Sequence, residues 1–226
     1  GRDRQLNLLN PGPFYMIDTS MLPAALLEFI VVADTHYMLD PGDKPLEFES
    51  RRKQSRRAEV ALRQAGSLDT DLVFHMGDLV QEYPETERFR IAYGEAHKQL
   101  ERCGLSPYYV AGNQDIGDKP DGTMPCLPVT PDSLDYFHQT CGESWYSFEK
   151  DGIHFIVLNT QILNTKFREA REQRSWLEGE LESHRKSRTF LFLHLPPFLY
   201  EREDPDIGNY DNIGQPDRTW LLSLIE

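Results

Sequence analysis

A chain of 226 residues, 39% hydrophobic and 27% charged, suits one large domain, or two small ones, with a real core and excludes a wholly disordered protein. Its formal net charge of -13 argues against general binding to nucleic acid or anionic membranes, which repel an acidic body, and favours small soluble substrates. Three widely spaced cysteines, Cys103, Cys126 and Cys141, with no C-x-x-C, indicate neither a zinc knuckle nor a disulfide framework and make a reducing, cytoplasmic setting the expectation.

Residues 1–27 read as an N-terminal arm and lead-in, with Asn10-Pro11-Gly12-Pro13 breaking any period. The chain opens on Gly1 rather than Met, as a trimmed piece would. The apolar stretch from Met21 to Val32 is short and carries Glu28, so no membrane span is expected. Phe29 to Ala33 is an apolar run of buried-strand character, and it ends at once in Asp34-Thr35-His36. A charged loop from Pro41 to Arg57, containing Arg51-Arg52-Lys53, leads into a helix from about Arg56 to Gln64. Asp71 to Met76 is the second buried strand, ending in Gly77-Asp78. A helix over Thr86–Arg102 stops at Gly104, and a third strand over Pro107–Ala111 ends in Gly112-Asn113-Gln114-Asp115.

The four prolines and two glycines between Ile116 and Pro131 predict a long loop on the substrate side. A helix over Asp132–Gln139 follows. Trp145–Phe148 and Ile153–Leu158 flank Lys150-Asp151-Gly152 as a hairpin, so the sheet system is expected to be mixed. A helix from about Arg168 to Arg185 carries Trp176, Leu177 and Leu181 on one face. A last buried strand over Thr189–Leu193 ends at His194, and a helix begins at Thr219.

Four strand-like runs therefore end in metal-competent residues: Asp34 with His36, Asp78, Asn113 and His194. In open α/β sheets the carboxyl ends of the strands converge, so these groups are expected to meet in one place. In extended backbone Asp34 and His36 share a side, which lets both reach one ion. Carboxylate, amide and imidazole together suit Mn, Fe or Zn better than Ca.

At these residues the chain resembles the calcineurin-like metallophosphoesterase family, whose signature runs D-x-H, G-D, G-N-H-D or a variant, a lone His, then G-H-x-H. Asp34-Thr35-His36, Gly77-Asp78, Gly112-Asn113-Gln114-Asp115 and His194 match the first four in order, over about residues 28–226. Val157 to Gln161 and the Trp176-Leu177 helix are similar to the phosphoprotein phosphatase-like branch. The resemblance implies an α/β fold, a mixed β-sheet sandwich flanked by helices, here with its C-terminal part missing. It also implies two divalent or trivalent ions: Asp34 and His36 holding the first, Asp78 bridging, Asn113 and His194 holding the second. A phosphoester hydrolase follows, a phosphatase or phosphodiesterase acting on a phosphoprotein or a small phosphorylated molecule. Two ions ~3.5–4 Å apart need an anionic bridge, and they supply a metal-bound hydroxide for direct attack on phosphorus.

Two departures matter. Gln114 stands where the family has histidine; it can hydrogen-bond to phosphate but cannot protonate a leaving group, a contribution typically worth ~10²–10⁴-fold. Asp115, the histidine's partner in the family, is assigned to the catalytic pair with it. The G-H-x-H motif is not reached before Glu226. The rival reading is a binding scaffold of the same fold with a weakened site, and a nuclease ranks third on charge. His75 reads as a hydrogen-bonded strand histidine, and His97, His138, His154 and His184 have no ligand spacing. The basic run around Lys53 reads as a solvated face. Asp118 and Asp121 read as turn residues, while Tyr200, Asp206, Asn209, Tyr210 and Asn212 are candidates for the substrate mouth.

Overall fold

The computed structural model describes residues 23–70, 72–121, 124, 126–204 and 212–226. Two three-stranded sheets form its centre. In the first, β1 (Ile30–Val32), β2 (Val73–His75) and β3 (Tyr108–Tyr109) lie parallel in the order β1-β2-β3. In the second, β4 (Tyr146–Lys150) runs antiparallel to β5 (Ile153–Val157), and β6 (Arg188–Phe192) lies parallel to β5. The mixed sandwich expected from the sequence is therefore present.

Alternation along the strands builds the seam between the sheets. Phe74 of β2 stacks on Phe192 of β6 with ring centroids 3.9 Å apart, and Phe155 of β5 lies 5.6 Å from the same ring. Phe29, ahead of β1, meets Phe74 and Phe155 edge-on at 5.9 Å each. Burying side chains of this size contributes roughly 1.5–3 kcal/mol apiece, so the seam fixes how the sheets register.

Helices cover both outer faces. A short 3-10 turn (Glu49–Lys53) runs into α1 (Gln54–Gly66), whose Leu62 and Ala65 join Ala92, Tyr93, Ala96 and Leu100 of α2 (Phe89–Arg102) over the first sheet. A one-turn helix, α3 (Asn113–Ile116), follows β3. Helix α4 (Pro131–Cys141) begins where Thr130 accepts the Ser133 N–H and Pro131 fixes the first helical φ, the expected N-terminal chemistry. Leu177 of α5 (Arg168–Ser183) and Leu221 of α6 (Asp217–Ile225) pack against Ile156 and Leu158 on the second sheet. The β4–β5 turn is Asp151-Gly152, both at positive φ (52° and 74°), the twist a two-residue hairpin needs.

The structure differs from expectation in particulars. β3 covers only Tyr108–Tyr109 of the expected Pro107–Ala111, although the Val110 N–H still donates to His75 O at 2.9 Å. α1 starts two residues early, and the Asn113-Gln114-Asp115 motif at the end of the third strand winds into α3. Inside the long loop, Asp118 and Pro128 form a parallel bridge. Among the described residues no helix is long and apolar enough to cross a membrane. Most of the N-terminal arm, residues 1–22, and Asp206, Asn209 and Tyr210 lie outside the described residues.

Candidate metal centre

Beyond β1 and β2 the chain keeps its parallel pairing into two turns. The Asp34 N–H donates to Gly77 O (3.1 Å), His36 N–H to Asp78 O (3.0 Å) and Tyr37 N–H to Leu79 O (2.8 Å). Within these turns Asp34, His36 and Asp78 all adopt left-handed backbone, with φ of 53°, 43° and 56°. Such conformations cost about 1–3 kcal/mol each in a non-glycine residue, and they concentrate at functional sites. Here they aim three of the sequence-predicted side chains at one gap. The extended geometry that the sequence suggested for Asp34 and His36 is thus replaced by two left-handed residues around Thr35.

Two glycines permit the close approach of the other segments. A Cβ on Gly77 would lie 2.7 Å from Gly112 Cα and from His194 Nδ1, and one on Gly112 would lie 2.4 Å from the Asp78 N and Oδ1 atoms. Only hydrogen fits there.

The side chains converge around Asp78, which is buried. His36 Nε2 lies 3.6 Å from Asp34 Oδ1 and 3.7 Å from Asp78 Oδ2. On the other side His194 Nε2 lies 3.5 Å from Asp78 Oδ1 and 3.1 Å from Asn113 Oδ1. The Gln114 N–H, at the start of α3, donates to Asp78 Oδ1 (2.9 Å). All five predicted ligand residues thus face one another, with Asp78 between two imidazoles.

The donor chemistry fits cations. His194 Nδ1 lies 2.7 Å from the Met76 carbonyl, which can only accept, so Nδ1–H donates to it and Nε2 is the ring nitrogen turned to Asp78 and Asn113. Nε2 lies 3.1 Å from the Asn113 carbonyl oxygen and 3.5 Å from Asp78 Oδ1, so imidazole, amide oxygen and carboxylate share one gap, a donor set that suits a cation. Ligand bonds of ~2.0–2.2 Å give ligand–ligand separations of roughly 3–3.5 Å, close to those found. Burial raises the Asp78 carboxyl above its ordinary range, with the nearby imidazoles opposing it. The His36 hydrogen bond lowers Asp34. Burial works against the charged form of His36, but Asp34 and Asp78 outweigh it and its pKa rises. Asp34, His36 and Asp78 bring ligand atoms within 4.8 Å of one another.

Gln114 and Asp115 lie differently from the expectation of a catalytic pair. The Gln114 amide satisfies its surroundings with nitrogen turned to Val80 O (2.8 Å) and Gln81 O (3.1 Å), 3.2 Å from His36 Nδ1. Both amide protons are then engaged by backbone, not presented to a phosphate. Asp115 is buried and accepts N–H groups from Asp78 (2.9 Å), Leu79 (3.0 Å) and Gly112 (2.8 Å). Burial, with the Asp78 charge second, pushes it up to about 7. Its geometry is that of a positioning residue beneath the centre, since both oxygens are occupied by main chain.

Several supports surround the centre, the first being the strand histidine that the sequence reads as hydrogen-bonded. His75, wholly buried, lies with Nε2 2.9 Å from Thr35 Oγ1, which in turn donates to Leu79 O (3.3 Å). That chain ties the Asp34–His36 turn to the Asp78 turn. Thr160 Oγ1 accepts the Leu195 N–H (3.1 Å), fixing the backbone just after His194. Of the expected mouth residues, Tyr200 is exposed and Asn212 is buried, its carbonyl accepting from Lys119 Nζ (2.6 Å). Asp118 is buried and accepts from the Cys126 N–H and thiol, more than a solvated turn residue does. Among the other histidines, His154, Glu180 and His184 form a second cluster on the far side of the second sheet.

The profile of the family described as Calcineurin-like phosphoesterase matches residues 27–219. Curated relatives named Serine/threonine-protein phosphatase CPPED1 are 27% identical over 227 residues in Pongo abelii and in Homo sapiens, covering 93% of this chain and 64% of theirs. The chain thus spans under two thirds of the length of these relatives. A crystal structure described as a dimetal phosphatase from Danio rerio shares the fold, with a TM-score of 0.56 at 14% identity over 87% of this chain and 76% of that one. Together with the four ordered motifs at the strand tips, the profile match places this chain in the calcineurin-like phosphoesterase family.

Proposed function

We propose that the chain is the metal-binding part of a phosphoester hydrolase. Asp34 and His36 hold one ion, Asp78 bridges, and Asn113 and His194 hold the other. The observation that carries this is the convergence of Asp34, His36, Asn113 and His194 around a buried aspartate set between two imidazoles. The chemistry supplied by bound di- or trivalent ions, Mn, Fe or Zn on this donor set, is charge neutralisation at phosphoryl oxygens and a lowered pKa for attacking water. The chain's residues hold that arrangement in place: Met76 O accepts the His194 Nδ1–H and turns Nε2 to the gap, the Gln114 N–H fixes Asp78, and Asp115 joins the turns. The names of the curated relatives support phosphorylated serine or threonine on a protein as substrate. Three unpaired cysteines support a reducing compartment.

The engaged Gln114 amide favours a second reading, a binding scaffold with little turnover, because it leaves no proton at that position for a leaving group. One experiment separates the two. The full-length protein is titrated with Mn²⁺ by calorimetry and assayed on aryl phosphate mono- and diesters, beside Asp78→Asn. Metal-dependent hydrolysis lost in the variant supports the enzyme; metal binding with no turnover on any divalent ion supports the scaffold.

A further inference from the structure

Five of the seven residues from Arg51 to Arg57 are basic, in a chain whose formal net charge is -13. Two of these guanidinium groups are committed locally. Arg52 donates to Gly42 O, Lys44 O and Glu49, and Arg51 pairs with Glu47 at 2.9 Å. Lys53, Arg56 and Arg57 are exposed and have no hydrogen-bond or ion-pair partner among the described residues. They lie where α1 crosses the Asp34–His36 turn, held there by Gln54 Nε2 on His36 O (2.8 Å) and by Ser55 on both polar groups of the Met38 backbone.

Between that turn and α1 lies a cavity of about 350 Å³. Ala58 and Leu62 give it an apolar wall, Arg51 and Arg57 a cationic one, and Asp34 belongs both to this lining and to the metal centre. A volume of that size accommodates one or two side chains. With Arg51 paired to Glu47, Arg57 is the lining cation without a partner among the described residues, opposite in sign to the protein's net charge, and with Lys53 and Arg56 nearby it draws an acidic side chain to this side.

We propose that the cavity is a specificity subsite for phosphopeptides, in which Arg57 receives the carboxylate of an acidic residue flanking the phosphorylated one. Lys53 and Arg56 add attraction at longer range. The phosphate itself sits at the strand-tip centre, so the proposal rests on the phosphohydrolase reading for that half of the ligand.

The test uses the Mn²⁺-loaded chain and two fluorescein-labelled peptides carrying a non-hydrolysable phosphonate, one with glutamates on either side and one with alanines. Fluorescence polarisation is expected to show the acidic peptide binding about five- to tenfold more tightly at low salt, with the gap closing as salt rises. Arg57→Gln removes most of the gap, while Arg63→Gln, whose guanidinium pairs with Glu59 on the same helix, preserves it. Equal affinities for the two peptides, or a preference that survives Arg57→Gln, overturns the subsite. Binding needs no turnover: absent hydrolysis of aryl phosphates by the unaltered protein would defeat the hydrolase reading alone.

Discussion

Two clusters of histidine and carboxylate occupy opposite sides of the second sheet's neighbourhood, and they are built on opposite logics. At the strand tips two imidazoles flank a buried carboxylate, three residues hold left-handed backbone, and the glycines at 77 and 112 have no room for a side chain. In the other cluster every close contact is a hydrogen bond that completes itself. His154 Nε2 meets Glu180 Oε1 at 2.9 Å, Ser147 Oγ donates to the same oxygen, and His184 Nδ1–H donates to the Glu180 carbonyl at 2.9 Å. The two imidazoles stack with centroids 4.0 Å apart at 24°, so their in-plane lone pairs do not point to a common centre. Proximity of ligand atoms is common to both clusters. Stored backbone strain and glycines with no room for a side chain belong only to the first, and these features separate a site from packing.

The comparison breaks if the clusters respond alike to perturbation. The largest expected effect is on catalysis: Asp78→Asn lowers metal-dependent hydrolysis of an aryl phosphate by about 10²–10³-fold, whereas Glu180→Gln leaves it within about twofold. Steady-state kinetics on both variants decides it. Next comes Gly112→Ala. The added Cβ would press on the Asp78 backbone and carboxylate, so we expect about 1–3 kcal/mol of destabilisation together with weakened Mn²⁺ binding, read by denaturant melts and calorimetry. Mn²⁺ at one hundred times its Kd stabilises the unaltered protein by about 2.7 kcal/mol, and the melting shift disappears in Asp78→Asn but persists in His184→Ala. A shift that His184→Ala also abolished would place an ion at the wrong cluster.

The smallest effect concerns acid. Burial lowers His75 to about 3, with Asp34 opposing, so the folded protein excludes a proton that the unfolded chain takes up below about 6.5. Stability therefore falls as pH drops from about 6.5 towards 3, with this residue contributing at most ~1.4 kcal/mol per pH unit. His75→Gln, which keeps an N–H for Thr35, flattens the slope of stability against pH over that interval. An unchanged slope would mean that another group carries the acid sensitivity.

Much of this was legible before any coordinates. The strand tips could be read because each ligand follows an apolar run within one or two residues, and because parallel sheets bring such ends together by topology alone. The hairpin turn at Asp151-Gly152 was equally local. What escaped is non-local. The left-handed turns at Asp34 and His36 are imposed by pairing with residues 77–79, and the role of Asp115 depends on amides 36 and 37 positions back along the chain. His154 and Glu180 meet from a strand and a helix 26 residues apart, a spacing with no motif to betray it. Gln114 was read as facing phosphate because its identity says nothing of the Val80 and Gln81 carbonyls beside it.

Asp115 has one further consequence. By grasping the amides of Gly112, Asp78 and Leu79 it braces two loops into a single frame from below, without recourse to any ion. Stripping cations with a chelator should therefore empty the pocket while sparing its walls, visible as an unaltered near-ultraviolet circular dichroism spectrum. Reloading then proceeds into a receptacle already shaped, at a rate set by diffusion and dehydration of the ion instead of by refolding.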